Sequence, residues 1–135
     1  MYLDMLKKIQ VRSDHRGTLI VFEENENLNF KPIRTYLLMS NSSNEARGFH
    51  AHHKLNQLIV CLAGSCAIKT IDRDSKPTIY NLKSIEMGLS IGPYTWREIT
   101  FMSKDCILLV NCDRNYEKED YIHDFKQFKK ICQTL

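Results

Sequence analysis

The chain's 135 residues, 43% hydrophobic and 26% charged with a formal net charge of +3, are one ordinary globular domain's worth of sequence, long enough to bury a core. So slight a positive balance is no nucleic-acid footprint, no apolar run approaches the roughly 20 residues a membrane span requires, and residues 1–8 lack the apolar core of a signal peptide. These exclusions predict a single domain over residues 1–135 in the cytoplasm that engages neither nucleic acid nor membrane.

The predicted elements are mostly short strands. Residues 19–22 follow the turn Asp14-His15-Arg16-Gly17. Residues 33–39 follow Pro32 and end at a polar turn, 40–44. The segments 49–52 and 58–62 come next, and the second ends in Ala63-Gly64-Ser65, after which 66–71 alternates in polarity. A turn at 72–75 precedes 78–82, and three further segments, 88–93, 96–101 and 106–110, complete the set. Short strands punctuated by turn residues at this spacing predict an all-β sandwich or barrel. Only the end reads as helix: Tyr121, Ile122, Phe125, Phe128 and Ile131 recur at helical intervals after the acidic stretch 117–120, which predicts a short C-terminal helix packed outside the barrel.

Five cysteines, Cys61, Cys66, Cys106, Cys112 and Cys132, form an odd number without a CxxC pair. Cys61, Cys66 and Cys106 lie in apolar runs, where a free thiol packs as a small hydrophobe. Reduced structural thiols are expected, as the compartment implies.

The stretch richest in chemistry is Arg47-Gly48-Phe49-His50-Ala51-His52-His53-Lys54-Leu55-Asn56-Gln57. Residues i and i+2 of a strand point to one face, so His50 and His52 can act on one small molecule or one metal ion. With Gly48 before the pair and Gly64 a dozen residues on, the pattern resembles the first motif of the cupins, small β-barrels that bind metals or ligands inside. That motif continues with a Glu where this chain has Asn56 or Gln57. The second cupin motif supplies a His a few residues after a Pro, but here Pro93 is followed by Tyr94-Thr95-Trp96-Arg97-Glu98. A transition-metal site takes three or four N, O or S ligands. Two histidines remain, and the neighbouring oxygen donor, Glu98, has Arg97 beside it to oppose a cation. The expectation is therefore no metal and no cofactor. Two imidazoles free of metal, with an ordinary pKa of about 6.5, suit general acid–base catalysis near neutral pH.

The 47–57 stretch, together with 61–65, Gly88-Leu89-Ser90-Ile91-Gly92-Pro93, Trp96-Arg97-Glu98 and 116–122, resembles the nucleoside-diphosphate-sugar 3,4-ketoisomerases over nearly the whole chain and in the same order. The resemblance implies a cupin-like jelly roll and a metal-independent isomerase that converts dTDP-4-keto-6-deoxy-D-glucose to a dTDP-3-keto-6-deoxyhexose. Such enzymes serve deoxyamino-sugar biosynthesis for O-antigen, lipopolysaccharide and other surface polysaccharide, or for antibiotics, and form homodimers, often with exchanged N-terminal strands. For this chain it implies His52 as the carbon proton shuttle and His50 as its partner at oxygen, a division the sequence leaves open. Tyr36 and Arg34, at i and i+2, are placed on the sugar oxygens or in the barrel wall. Arg47 and Arg97, with Lys54 behind them, suit phosphate or sugar oxygens, since guanidinium matches those groups in geometry and charge. Gln57 is expected to bond His52, and Glu98 to orient Arg97 or a histidine. Trp96 reads equally as core and as a base platform. Tyr116, Tyr121 and Asp120 resemble the family's C-terminal motif or serve helix docking. Arg16 and Arg97 fall where branches of the family differ, and their combination here mixes the galacto-type and gluco-type patterns, leaving the product's C4 configuration open. Two rival readings carry their own signatures: a non-catalytic dTDP-sugar-binding module, which would bind without proton exchange, and a metal-dependent cupin enzyme, which would hold a metal.

Overall fold

A computed structural model describes residues 5–25 and 28–135. In chain order the strands are β1 (Leu6–Lys8), β2 (Gln10–Asp14), β3 (Gly17–Val21), β4 (Arg34–Met39), β5 (Ala46–His52) and β6 (Gln57–Ala63). They continue with β7 (Cys66–Ile71), β8 (Pro77–Leu82), β9 (Met87–Ile91), β10 (Trp96–Phe101), β11 (Ile107–Cys112) and β12 (Tyr121–Ile122), and helix α1 (Phe125–Gln133) closes the chain. A 3₁₀ turn, Lys118–Asp120, leads directly into β12.

The strands build two five-stranded sheets, β1-β9-β6-β11-β4 and β12-β5-β10-β7-β8, with β2 and β3 forming a separate hairpin. This is the expected cupin-like jelly roll. Period-two alternation supplies the core: Ile59, Leu89, Leu108 and Val110 of the first sheet meet Ile68, Ile99 and Phe101 of the second. The opposite face of the first sheet is covered in part by the chain's own N-terminal region, where Ile9 and Leu28 pack on Leu58 and Val60. The opposite face of the second sheet is covered by α1, whose Phe128 packs with Ala51, Trp96 and Ile122.

The structure corrects the expected start of the helix. Tyr121 and Ile122 are strand residues, paired with His52 and Ala51. The helix starts four residues later because Asp124 caps it, its Oδ1 accepting the Gln127 N–H at 3.1 Å. The helical recurrence of apolar residues in fact joined one strand residue pair to a nine-residue helix. The nine-residue α1 is the only α-helix among the described residues, and none there is long and apolar enough to cross a membrane. All five cysteines are free, with Cys61 and Cys106 side by side at 4.0 Å between sulfurs.

Between β6 and β7 the chain reverses at Gly64, whose φ of +68° lies in the left-handed region. A Cβ there would collide with Ser103 Oγ and lie 2.9 Å from the Cys106 Cα. Gly64→Ala is therefore expected to lower stability by about 2–4 kcal/mol, from the strained φ and the overpacking together, read as a lower urea midpoint at unchanged slope.

Candidate active site

A cavity of about 380 Å³ opens between the two sheets, lined by Tyr36, Leu38, Arg47, Gly48, His50, Gln57, Ile59, Arg97, Ile99, Val110 and Tyr121. Tyr36 and Leu38 come from alternate positions of β4, Gln57 and Ile59 from β6, and Arg97 and Ile99 from β10, as strand periodicity requires.

Strand β5 breaks that rule. Arg97 stands opposite His50 and Glu98 opposite Gly48, so Phe49 is an extra residue between them. Phe49 takes a φ of +55° and Gly48 a φ of +96°, in the left-handed range that side chains seldom adopt. Arg47 pairs with Ile99 and His50 with Arg97, and both partners face the cavity. Arg47 and His50 are three apart, so regular alternation would put them on opposite faces. The bulge restores both to the inside. Gly48 permits it: a Cβ there would sit 3.1 Å from the Arg97 carbonyl oxygen.

Arg97 is the electrostatic centre. It is 1% exposed, its Nη2 donates to the Thr95 carbonyl at 3.1 Å, and its Nη1 donates to Gln57 Oε1. No carboxylate lies within ion-pair distance of it among the described residues. Burial lowers its pKa to about 10, so it is a cation at neutral pH. Gln57, instead of bonding His52, donates from Nε2 to Tyr36 Oη at 3.0 Å and lies 3.6 Å from Cys112 Sγ. Because Tyr36 Oη accepts that bond, its own hydrogen is free to donate into the cavity. Burial raises its pKa and keeps it a phenol.

His50 forms part of the cavity wall, whereas His52 is 1% exposed and sits behind it. The two rings meet edge to face at 4.8 Å between centroids. Burial, reinforced by the Arg97 cation, lowers the His50 pKa to about 4 and lowers that of His52 further. Both imidazoles are neutral at physiological pH. His52 Nδ1 lies 3.1 Å from Asp120 Oδ2, and Tyr121 packs on both rings. His123 stacks on Tyr121 and lies 6.2 Å from His50.

Of the residues the sequence singled out, Tyr36, Arg47, His50, Gln57, Arg97 and Tyr121 line the cavity. Arg34 does not line it; its guanidinium lies over the rings of Tyr36, which does, and Tyr116. Lys54 lies in a small depression with His53, Glu117, Glu119 and Asp120. Glu98 is turned to the other face of its strand, where it accepts the Trp96 indole N–H at 3.0 Å. Trp96 is core: it packs on Phe125 and Phe128 of α1 and forms no base platform in the cavity. Arg16 lies at the tip of the β2–β3 hairpin, bonded to Asp14 at 2.6 Å and 79% exposed, outside its own chain's cavity. Cys112 and His123 are additions, while Asp120, expected in a C-terminal motif or in helix docking, contacts His52. Asp120 meets a residue 68 positions away, a contact that no local spacing encodes. The signal that could have found His123 was the density of Tyr and Asp just before it, between 116 and 122.

The residues do not suit the metal that cupins commonly hold. The amide that stands for the cupin carboxylate, Gln57, is bound to a buried guanidinium, and that cation lies near where the last histidine ligand would stand, opposing a dication. No group of three or more His, Cys, Asp or Glu among the described residues could hold a metal ion.

Residues 3–133 match the family described as FdtA: WxcM-like, C-terminal. The chain belongs to this family. It is 41% identical over 122 residues to the TDP-4-oxo-6-deoxy-alpha-D-glucose-3,4-oxoisomerase of Aneurinibacillus thermoaerophilus, covering 90% of this chain and 87% of that one. The fold matches the sugar 3,4-ketoisomerase QdtA of Thermoanaerobacterium thermosaccharolyticum in complex with TDP, with a TM-score of 0.90, 31% identity and 96% and 93% of the two chains covered. A histidine-to-asparagine mutant of that enzyme in complex with TDP-4-keto-6-deoxyglucose matches with a TM-score of 0.90, 30% identity and the same coverage of 96% and 93%.

The depressed imidazole pKa values have a consequence for stability. The unfolded chain takes up protons at histidine near pH 6.5, the folded His50 only near 4, so below about 6.5 the unfolded state binds more protons and stability falls with pH. Relative to His50→Gln, the wild type is expected to lose on the order of 1 kcal/mol more between pH 7 and about pH 5, measured by urea unfolding at both values. Equal losses would contradict a neutral, proton-resistant His50.

Proposed function

We propose that this protein is a dTDP-sugar 3,4-ketoisomerase, converting dTDP-4-keto-6-deoxy-D-glucose to the 3-keto isomer through an enediolate, in the biosynthesis of deoxyamino sugars. The observation that carries this reading is the neutral His50 facing the same cavity as the buried, carboxylate-free cation Arg97, in a chain 41% identical to an enzyme named for that reaction.

The chemistry follows from the substrate. The C4 ketone acidifies the hydrogen on C3. A base removes that proton, the electron pair spreads over C3, C4 and O4, and the enediolate forms. Protonation at C4 and loss of the O3 proton leave a ketone at C3, with no net change in oxidation level. His50 is the residue on the cavity wall, which supports it rather than His52 as the group that moves the carbon proton. An imidazole with its pKa held near 4 is neutral and able to accept at working pH. Arg97, with Tyr36 as a neutral donor, supports the oxyanion: a cation already desolvated and fixed by Gln57 and Thr95 loses nothing further when charge develops beside it. Arg47, more exposed at the cavity, suits the diphosphate, and Arg34, over the Tyr36 ring, suits the sugar or nucleotide.

A homodimer with exchanged N-terminal strands completes the reading. Ile33, Leu37 and Met39, on and beside edge strand β4, are 47%, 52% and 64% exposed, an apolar surface of the kind second copies cover. Among the described residues the β2–β3 hairpin pairs with neither main sheet, so exchange would bring Arg16, which lies outside its own chain's cavity, toward the partner's. Five free thiols support a reducing, cytoplasmic setting.

Incubated with the 4-keto sugar nucleotide in D2O, the protein is expected to yield the 3-keto isomer with deuterium at C4, insensitive to chelators. His50→Asn should reduce the rate by about 10³-fold or more while dTDP still binds. Wild-type protein that binds dTDP without any exchange would favour the binding-module reading. In sedimentation the wild type is expected to run as a dimer and the Leu37→Glu, Met39→Glu double variant to shift toward monomer; a monomeric wild type at micromolar concentration would remove the exchange.

A further inference from the structure

Asp120 holds three consecutive residues at the end of β5. Its Oδ2 lies 3.1 Å from His52 Nδ1, its Oδ1 accepts the Lys54 backbone N–H at 2.8 Å, and its carbonyl accepts the His53 N–H at 3.0 Å. The side chain is 5% exposed, and its own backbone N–H is bound to Glu117. Neither carboxylate oxygen is free to exchange roles: Oδ1 is committed to a backbone donor, so Oδ2 is the atom that faces the imidazole. The other ring nitrogen, His52 Nε2, is buried and has no hydrogen-bond partner among the described residues.

We propose that Asp120 is a positioning residue that fixes His52 as the Nδ1–H tautomer and leaves the Nε2 lone pair as an acceptor beside His50. The inference rests on the ketoisomerase reading for its catalytic consequence, and on geometry alone for the tautomer. A carboxylate has no hydrogen to give, so the ring nitrogen facing it must carry the proton. An imidazole fixed in this way is the arrangement by which an acid–base histidine is oriented in unrelated enzymes. The unpartnered Nε2 is what a proton relay needs: an acceptor for the hydrogen on His50 or on a substrate oxygen, held in a ring that cannot flip. Tyr121, packed on both rings from the strand that directly follows Asp120, keeps the pair edge to face. A merely structural Asp120, closing the junction between β5 and β12, would serve as well with either His52 tautomer.

Asp120→Asn separates the two roles. Its Oδ1 must keep accepting from Lys54, which turns the amide N–H₂ toward His52 Nδ1 and forces the hydrogen onto Nε2. The side chain's volume and the backbone contacts are unchanged. In ¹⁵N-labelled wild-type protein the His52 ring is expected to show a protonated Nδ1 and an unprotonated Nε2, and in D120N the reverse. The D120N turnover with the 4-keto sugar nucleotide should fall about 10²–10⁴-fold, with dTDP affinity within about twofold of wild type. Asp120→Glu, which restores a carboxylate, should recover part of the rate and the Nδ1–H signal. A wild-type His52 found as the Nε2–H tautomer overturns the proposal, whether or not the variant folds. So does a D120N protein that turns over within about threefold of wild type. A wild type with the Nδ1–H tautomer but no exchange activity upholds the tautomer assignment and overturns the ketoisomerase reading instead.

Discussion

The arrangement around the cavity depends on a guanidinium taken out of water without a carboxylate to meet it. Burying such a charge costs several kcal/mol, and the protein offsets this with a backbone carbonyl and a side-chain amide rather than an ion pair. The choice of partner matters. A carboxylate at position 57 would neutralise Arg97 and give its charge away before any substrate arrived, whereas the Gln57 amide fixes the geometry and leaves the charge unspent. Its other end fixes Tyr36, so one neutral side chain aims two donors from opposite sheets. The same field sets the state of the bases: with Arg97 close by, His50 and His52 resist protonation. In the proposed isomerisation, the cation that would favour an enediolate also keeps the imidazoles neutral enough to generate it.

Burial alone gives the imidazoles no direction, and the bulge in β5 supplies it. A strand alternates faces, and Arg47 with His50 violates that alternation by one residue. Inserting Phe49 at positive φ, beside a glycine that lets the backbones of β5 and β10 approach, corrects the parity locally without shifting the rest of the sheet. The strain sits in the residue immediately before His50, and the flanking pairs of β10 hold it in place.

Much of this was legible in the sequence and some was not, for identifiable reasons. The strands were legible because each carries its own alternation between turns, and the loss of the metal set was legible because Gln57 and Arg97 stand where ligands would be. The bulge was not, because it is a property of pairing between two strands, and neither strand's pattern reports a register. Glu98 and Arg97 looked like one cluster in sequence, but adjacent strand residues face opposite ways, so Glu98 serves Trp96 and α1 while Arg97 serves the cavity. The helix was read four residues early because Tyr121 and Ile122 are apolar for a different reason: one packs on imidazoles, the other under α1. The exposed place of Arg16 within its own chain was likewise invisible, since no local pattern says which hairpin joins a sheet.

The C-terminal segment connects these points. A jelly roll closes its core without residues 116–123, as the two facing sets of apolar side chains lie on strands β4 to β11. The segment instead adds two residues of strand to the open edge of β5 and brings Asp120, Tyr121 and His123 against the histidine pair. Its apolar cost is covered by α1, which packs on Trp96 from the reverse side of the same strand that carries Arg97. Helix, indole and Glu98 therefore press on one face of β10 while the guanidinium and His50 meet on the other. A helix outside the barrel thus has a direct mechanical reason to matter for chemistry inside it: it fixes the strand whose opposite face sets the charge, and the edge segment that holds the second imidazole.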